Sequence, residues 1–264
     1  MVYNEGEQPE SWGGMSVEEF VRLRVVEETG STNDDLKKES GAPHGTALMA
    51  LRQTDGKGRL GRSFVSPPGG VYFSLLLRPK VPPEQLLHLT AMAAVALRRG
   101  IKKLCDLEVG IKWTNDLVFE GKKLCGILTE LVTRGEFPTV IVGVGLNCNT
   151  TQEDFPSELR ETITSLKQIT GKSYEPQEAA QCLLDELWHM SRVLFSEKEQ
   201  WLREYRAACV TLGKEIRILR AGDERNAFAL DIDENGGLLV EYADGGRGTV
   251  NTGEVSVRGM YGYL

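Results

Sequence analysis

Residues 55–62 are Asp55-Gly56-Lys57-Gly58-Arg59-Leu60-Gly61-Arg62, and the sequence around this stretch decides the fold class. Residues 56–61 match Gly-x-Gly-x-x-Gly, which binds dinucleotides when a strand precedes it and a helix starts at its glycines. A strand is predicted before it, over 46–52. The prolines and glycines of residues 66–70 follow it, however, and cannot open a long helix. No acidic residue between Arg62 and Glu84 is placed to bind a ribose. The sequence therefore argues against a dinucleotide-binding fold and a nicotinamide-dependent dehydrogenase.

The charges of this stretch indicate an anion site instead. Four basic residues and one acid lie between positions 52 and 62, which leaves a local charge of +3: Arg52, Lys57, Arg59 and Arg62 against Asp55. Glycines let backbone N–H groups approach an anion closely, and arginine forks suit phosphate oxygens. A phosphate-binding loop is predicted. A solvated surface loop with incidental charge stays open on these residues alone.

The rest of the chain divides into two regions with different predicted secondary structure. Strands are expected at 21–28, 46–52, 71–77, 109–113, 116–119, 124–131 and 140–146. Helices are expected from Ser31 to Gly41 and at 84–104, 156–169, 176–195 and 197–211. Beyond Gly213 the pattern changes to short strands at 214–220, 226–233, 237–242 and 247–251, which is typical of a small β-barrel. We expect a tail at 1–20, a catalytic domain at 21–211 and a small domain at 212–264.

Composition excludes several function classes. The 264 residues are 41% hydrophobic and 26% charged, with a formal net charge of −7, which argues against a general DNA- or RNA-binding protein. No apolar run is long enough to cross a bilayer, and residues 1–14 show no signal-peptide pattern, so a cytoplasmic protein without membrane contact is expected. Five scattered cysteines form no Cys-x-x-Cys pair, and His-Glu-x-x-His and Gly-x-Ser-x-Gly are absent, which disfavours metal hydrolases and serine esterases.

Further motifs accompany the basic loop. They are Ser31-Thr32-Asn33, Gln53, Lys112-Trp113-Thr114-Asn115-Asp116, Lys123-Leu124-Cys125-Gly126-Ile127-Leu128 and Gly143-Val144-Gly145-Leu146-Asn147. In this order and at this spacing they resemble the biotin protein ligase family. The resemblance is strong over about residues 20–150 and weaker beyond. It implies an α+β fold, with a mixed β-sheet flanked by helices as in class II aminoacyl-tRNA synthetases and a C-terminal SH3-like β-barrel.

The resemblance also implies a reaction. Biotin and ATP, with Mg²⁺, would give biotinyl-5′-AMP, and biotin would then pass to a lysine of a biotin carboxyl carrier protein, a subunit of acetyl-CoA carboxylase or of another biotin-dependent carboxylase. No prosthetic group is expected. A homodimer stays open, because relatives use one sheet edge either for dimers or for docking the carrier.

Residue roles follow from the matched motifs only. The resemblance implies Lys123 and Arg59 as catalytic residues, with the Lys123 ammonium bridging the biotin carboxylate and the α-phosphate. It implies a biotin-binding set of Ser31, Thr32, Asn33, Gln53, Lys57, Gly58, Arg59 and Lys123. It implies an ATP- and phosphate-binding set of Gly56, Lys57, Arg59, Arg62, Lys112, Asn115, Asp116 and Asn147, with Asp116 as a Mg²⁺ ligand. Simpler explanations exist for some of them: helix capping for Ser31 and Thr32, and a turn pair for Asn115 and Asp116.

The sequence departs from the family pattern at three positions. Lys57 stands where the family usually has arginine, Thr114 replaces a proline and Phe64 replaces a tryptophan. Lysine lacks the bidentate fork, so the loop is expected to hold the adenylate less firmly.

Two rival functions share part of this motif pattern. A lipoate or octanoate ligase of the same superfamily should lack the basic loop and the 112–116 motif. A biotin-responsive repressor would carry an N-terminal helix-turn-helix of about 60 residues, whereas about 20 residues precede the first predicted strand, so DNA binding is not expected.

Overall fold

The computed structural model describes residues 21–39, 41–133, 135–220, 223–251 and 255–259. The predicted tail at 1–20 lies outside the described residues. The strands are β1 (Arg22–Thr29), β2 (Thr46–Gln53), β3 (Val71–Leu77), β4 (Gly110–Lys112), β5 (Asp116–Phe119), β6 (Lys122–Val132), β7 (Thr139–Leu146), β8 (Glu215–Arg220), β9 (Asp223–Ile232), β10 (Leu238–Tyr242), β11 (Arg247–Val250) and β12 (Val255–Gly259). The helices are α1 (Thr32–Lys38), α2 (Leu89–Cys105), α3 (Ser157–Arg160), α4 (Leu166–Thr170), α5 (Pro176–Arg192) and α6 (Lys198–Ala208).

A seven-stranded sheet forms the larger part of the molecule, in the order β1-β2-β3-β7-β6-β5-β4. Strands β1 and β2 are parallel and the other neighbours are antiparallel, which confirms the predicted mixed sheet. Strand β3 is buried at every position, because helices cover one face of the sheet and α1 covers part of the other. Helix α2 packs between the sheet and helices α5 and α6, and ten of its residues are buried.

The C-terminal residues form a second sheet, which is antiparallel with the order β11-β10-β9-β8-β12. This confirms the predicted small β-domain, although the sequence reading missed β12. Its residues Val255-Ser256-Val257 alternate as a strand should, but the run is only five residues long. The larger part of the molecule contacts the second sheet and its turns, since Trp113 Nε1 donates to the Gly236 carbonyl (2.9 Å) and Arg206 Nε of α6 donates to the Ile232 carbonyl (2.8 Å).

The prediction of one helix at 156–169 was wrong. The structure has the short helices α3 and α4, and the chain between them runs beside β6. The Lys123 N–H donates to the Thr162 carbonyl (2.8 Å), and the Thr164 N–H donates to the Lys123 carbonyl (2.9 Å). These non-local hydrogen bonds replace the helical ones, and periodicity within the segment cannot reveal them.

Other helix bounds differ less. The helix predicted from residue 84 starts with a separate 3₁₀ turn at Pro83–Leu86, and the α-helix itself begins at Leu89. The helices predicted at 176–195 and 197–211 end earlier, at Arg192 and Ala208. Within the described residues, none of the helices combines the length and the apolar character that a bilayer crossing requires.

Candidate active site

A cavity of about 440 Å³ opens between the basic loop, the N-terminus of α1 and strands β6 and β7. It gathers segments that lie more than 100 residues apart in sequence. All but one of the residues predicted for the site line it: Ser31, Thr32, Asn33, Gln53, Lys57, Gly58, Arg59, Arg62, Lys112, Asn115, Asp116, Lys123 and Asn147.

Gly56 is the exception, and its predicted phosphate contact needs correction. It does not line the cavity. A Cβ at this position would lie 2.3 Å from the Phe64 carbonyl oxygen and 2.6 Å from Ser66 Oγ, so the backbone is packed too closely for any side chain. Gly56 therefore serves the folding of the loop.

The basic loop is an ordered hairpin, which we call the flap and define as residues 56–64. The Phe64 N–H donates to the Gly56 carbonyl and the Gly58 N–H donates to the Arg62 carbonyl, each at 2.7 Å. At its tip Leu60 has a left-handed backbone (φ 59°) and is 47% exposed. The flap thus carries Lys57, Arg59 and Arg62 on a defined backbone at the cavity wall.

A polar cluster, which we call the floor, contains three cavity-lining residues, Thr32, Asn33 and Gln53, together with the buried Ser74, which hydrogen-bonds to Thr32 without lining the cavity. The Thr32 N–H and Oγ1 both donate to Gln53 Oε1, at 2.9 and 3.1 Å. Ser74 Oγ donates to Thr32 Oγ1 (2.7 Å) and is fully buried. Ser31 caps α1 by accepting from the Asp34 N–H (3.5 Å). It also lines the cavity, so the helix-capping explanation and a position in the site are compatible. The floor offers neutral hydrogen-bonding groups in a water-poor setting.

The cavity is also strongly cationic. Six cationic and two acidic side chains line the cavity, a formal excess of +4: Lys57, Arg59, Arg62, Lys112, Lys123 and Arg258 against Asp116 and Glu158. Burial lowers the pKa of Arg59, and it lowers the pKa of Lys112 to about 7, helped by the nearby Arg258, Lys123 and Arg62 and opposed by Asp116. Cations that are costly to keep charged in a cavity would be stabilised by a polyanion such as a phosphate chain.

An ion pair and two hydrogen bonds fix the positions of these side chains. Lys123 Nζ lies 2.7 Å from Asp116 Oδ1. Arg59 Nη1 donates to Asn115 Oδ1 (3.1 Å), and Asn115 Nδ2 donates to the Ile127 carbonyl (2.7 Å). Asn115 therefore connects the flap to β6, which is more than the turn role that its sequence position suggested.

Lys123 reaches the cavity because of a β-bulge. Strict alternation along β6 would place Lys123 and Cys125 on one face, but the two side chains have different surroundings. Leu117 pairs with Cys125 and Val118 pairs with Lys123, so Leu124 is the extra residue. The bulge lets Lys123 line the cavity together with Gly126 and Leu128, while Cys125 lies in the apolar core.

Asn147 presents an unsatisfied acceptor. Its Nδ2 donates to the Thr164 carbonyl (3.0 Å), which fixes the side chain, and the residue is 3% exposed. Its Oδ1 is buried and makes no hydrogen bond within the described part of the chain. A buried oxygen without a donor is costly, so Asn147 is suited to a ligand or ion.

Sequence reasoning missed several lining residues. Phe64 packs over Gly145 so closely that a Cβ there would lie 2.4 Å from Phe64 Cε1, and Lys123 Nζ lies 5.5 Å from the centre of the phenyl ring. The glycines of the 143–147 motif were the available signal. Phe155, Leu159 and Ile163 add an apolar wall from the segment that was mistaken for one helix. Arg258 comes from β12, and no local pattern relates it to the flap.

Comparisons with known proteins agree with this geometry. The model of the biotin/lipoate A/B protein ligase family matches residues 23–147, and the biotin protein ligase C-terminal domain matches residues 211–258. The bifunctional ligase/repressor BirA of Bacillus subtilis is 34% identical over 228 residues, which are 84% of this chain and 69% of that protein. The biotin–[acetyl-CoA-carboxylase] ligase of Mycobacterium tuberculosis is 34% identical over 238 residues, covering 87% of this chain and 86% of that protein.

A solved structure matches the fold as a whole. The biotin protein ligase from Aquifex aeolicus, in complex with biotin and ATP, superposes with a TM-score of 0.78 at 30% identity. The match covers 90% of this chain and 98% of that chain, so it includes both sheets.

Proposed function

The chain belongs to the biotin protein ligase family, and we propose that it uses ATP to activate biotin and then transfers the biotin to a lysine of a carrier protein. One observation carries this proposal: a single cavity combines the neutral hydrogen-bonding floor with a formal excess of +4 among its lining side chains. The floor suits the uncharged ring of biotin, and the cations suit its carboxylate and the phosphates of ATP.

In the first step a carboxylate oxygen of biotin attacks the α-phosphorus of ATP. The bond from this phosphorus to the bridging oxygen of the β-phosphate breaks, pyrophosphate leaves with the electron pair, and biotinyl-5′-AMP remains. Both reactants are anions, so catalysis depends on fixed positive charge and on position. We assign this role to Lys123 at the carboxylate and α-phosphate, and to Arg59 at the phosphate oxygens.

In the second step the neutral amine of the carrier lysine attacks the carbonyl carbon of the adenylate. The bond from this carbon to the phosphate oxygen breaks, AMP leaves, and the amide nitrogen loses its extra proton to solvent. The cations that stabilised the first transition state also stabilise AMP as the leaving group. The flap, with its backbone N–H groups and Lys57, would exclude water from the anhydride between the two steps.

The remaining predicted residues divide between the two substrates. We assign Ser31, Thr32, Asn33 and Gln53 to the biotin ring, with Gly58 contributing backbone contacts. We assign Arg62, Lys112, Asn115 and Asn147 to the nucleotide.

Magnesium fits this donor set. Mg²⁺ is commonly held by one or two protein oxygens together with substrate phosphates, and a dedicated cage of three or more His, Cys, Asp or Glu residues is absent from the described residues. The carboxylate of Asp116 and the unpaired Oδ1 of Asn147 both line the cavity, and we propose them as its protein ligands. When bound, the ion would neutralise part of the phosphate charge.

We place the catalytic unit at 21–211 and the small domain at 212–264, with the latter supplying Arg258 to the cavity. The relative from Mycobacterium is named for acetyl-CoA carboxylase, and we propose a biotin carboxyl carrier protein as the acceptor. Strand β1 ends the larger sheet, with Val25 and Val26 exposed, and is the edge on which we place either the carrier or a second copy of the chain.

Biotin-dependent exchange of labelled pyrophosphate into ATP tests the first step without any carrier. We expect exchange with biotin that is absent without biotin and much weaker with lipoate. Exchange supported by lipoate alone would favour the rival lipoate ligase. No exchange with either acid would contradict the proposed chemistry.

A further inference from the structure

The flap and the floor are joined by a chain of charged side chains outside the cavity. Lys57 of the flap forms an ion pair with Asp34, in the first turn of α1. Asp34 also pairs with Lys37 (3.1 Å), and Lys37 pairs with Glu130 Oε1 on β6 (2.7 Å). Glu130 Oε2 accepts a hydrogen bond from Asn33 Nδ2 in the floor (2.8 Å). The path therefore returns to the cavity at Asn33 of the floor.

Neither carboxylate of this path lines the cavity. Asp34 and Glu130 thus have no direct access to the substrates, but each contacts a residue that does. We propose that Asp34 and Glu130 are positioning residues that hold the flap in register with the floor, Asp34 through Lys57 and Glu130 through Asn33. This inference rests on the proposed function only for its kinetic consequence.

The path is suited to controlling flap opening. The ion pairs are partly exposed, with side-chain exposures between 26% and 41%, so each contributes little to folding. Small energies suffice to change the population of an opened flap. Ion pairing with Asp34 raises the pKa of Lys57, so its ammonium stays charged over the physiological range.

The kinetic consequence concerns the adenylate. A flap that opens more often releases biotinyl-5′-AMP before the carrier arrives. Asp34→Asn should therefore raise the first-order rate constant for adenylate release from preloaded enzyme by about fivefold, the change that corresponds to about 1 kcal/mol. Asp34→Glu should restore a rate near that of the unmodified enzyme, because it keeps the charge.

The chain supplies a matched control. Asp35 is the next residue of the same helix turn, but it pairs with Lys38 and Thr29 and not with the flap. Asp35→Asn removes the same charge from the same helix and should leave the release rate unchanged. The release rate constant does not depend on the active fraction of the preparation, so a smaller folded fraction would not alter it.

Interaction along the path gives a second test. If Asp34 acts through Lys57, the release rate of the double variant Asp34→Asn/Lys57→Met should be no faster than that of Lys57→Met alone. If the two substitutions instead multiplied the release rate by independent factors, Asp34 would act through a contact other than Lys57.

Hydrogen exchange of the ligand-free protein separates this inference from the proposed function. The Gly58 and Phe64 amides are hydrogen-bonded within the flap, and their exchange reports its opening. We expect faster exchange at these amides in Asp34→Asn and Glu130→Ala, with no change in Asp35→Asn. Equal flap exchange and adenylate release in Asp34→Asn and Asp35→Asn would overturn the inference. Failure of the unmodified protein to form any adenylate would overturn only the proposed function, because the exchange result stands without it.

Discussion

Lys123 Nζ on β6 lies 2.7 Å from Asp116 Oδ1 on the neighbouring strand β5. This pair brings the principal catalytic candidate into contact with the proposed magnesium ligand. Its ammonium is also close to the Phe64 ring, which limits where the side chain can move. A phosphate entering between the flap and β6 would meet a lysine that is already oriented.

Removing this lysine should strongly slow the first step. Lys123→Ala should lower kcat/KM for biotin-dependent pyrophosphate exchange by about 100-fold or more, because a positioned charge at the reacting oxygens is lost. Lys122→Ala, which changes the neighbouring lysine outside the cavity, should change it less than threefold. Equal effects of the two substitutions would contradict the assignment.

The lysine at position 57 should make this enzyme release adenylate more readily than an arginine variant. Lys57→Arg offers a fork that can contact Asp34 and a phosphate oxygen together. Free biotinyl-5′-AMP in a carrier-free reaction, measured by chromatography, should therefore decrease. An unchanged or larger amount would show that the fork has no effect here.

Phe64 depends on the absence of a side chain at Gly145. Gly145→Ala would place a Cβ 2.4 Å from Phe64 Cε1, so the ring must move, at a typical cost of about 1–3 kcal/mol. We expect a higher KM for biotin and a lower unfolding midpoint in urea. The double variant Gly145→Ala/Phe64→Leu should recover part of the unfolding midpoint. Gly41→Ala, where a Cβ meets nothing within 4 Å, is the control and should leave both quantities unchanged.

Two buried histidines should make the free energy of unfolding depend on pH. Burial lowers the pKa of His44 and of His88 to about 4, from about 6.5 in the unfolded chain. His44 Nδ1 accepts from the Arg78 N–H (3.1 Å), which only the neutral ring can do. Because the unfolded chain binds these protons first, their stabilising contribution is complete above about pH 6.5 and is lost as the pH falls towards about 4. The loss is on the order of 3 kcal/mol for each histidine.

Urea unfolding at pH 7.5 and pH 5 tests this dependence. His44→Asn keeps an acceptor near the position of Nδ1 and cannot be protonated, so this variant should lose less stability between the two pH values than the unmodified protein. His189→Asn, at an exposed position, is the control and should show the full loss. A loss in His44→Asn as large as in the unmodified protein would show that His44 does not titrate in this range.

Much of the fold could be predicted because its strands carry strong local patterns. β2, β3 and β7 are apolar runs of seven or eight residues bounded by turn residues, and all three were placed correctly. Their order in the sheet could not be predicted, since β3 pairs with β7 across more than 60 residues of intervening chain. The helix predicted at 156–169 failed for a similar reason, because hydrogen bonds to Lys123 determine that segment.

The site was predicted from several linked motifs, but its details depend on the backbone. The bulge at Leu124 brings Lys123 into the cavity, and alternation along β6 could not place it there. Gly56 belongs to the motif, yet it does not line the cavity, because its backbone packs against Phe64 and Ser66. Arg258 reaches the cavity from the second sheet, and nothing in its local sequence indicates that position.

The central claim is that this chain attaches biotin to a carrier lysine. Its most direct measurement is the intact mass of a purified biotin carboxyl carrier domain after incubation with the enzyme, ATP, Mg²⁺ and either biotin or lipoate. We predict a mass increase of one biotinyl group, which is lost when ATP is omitted and when Lys123→Ala replaces the unmodified enzyme. A mass increase with lipoate and none with biotin would contradict the account.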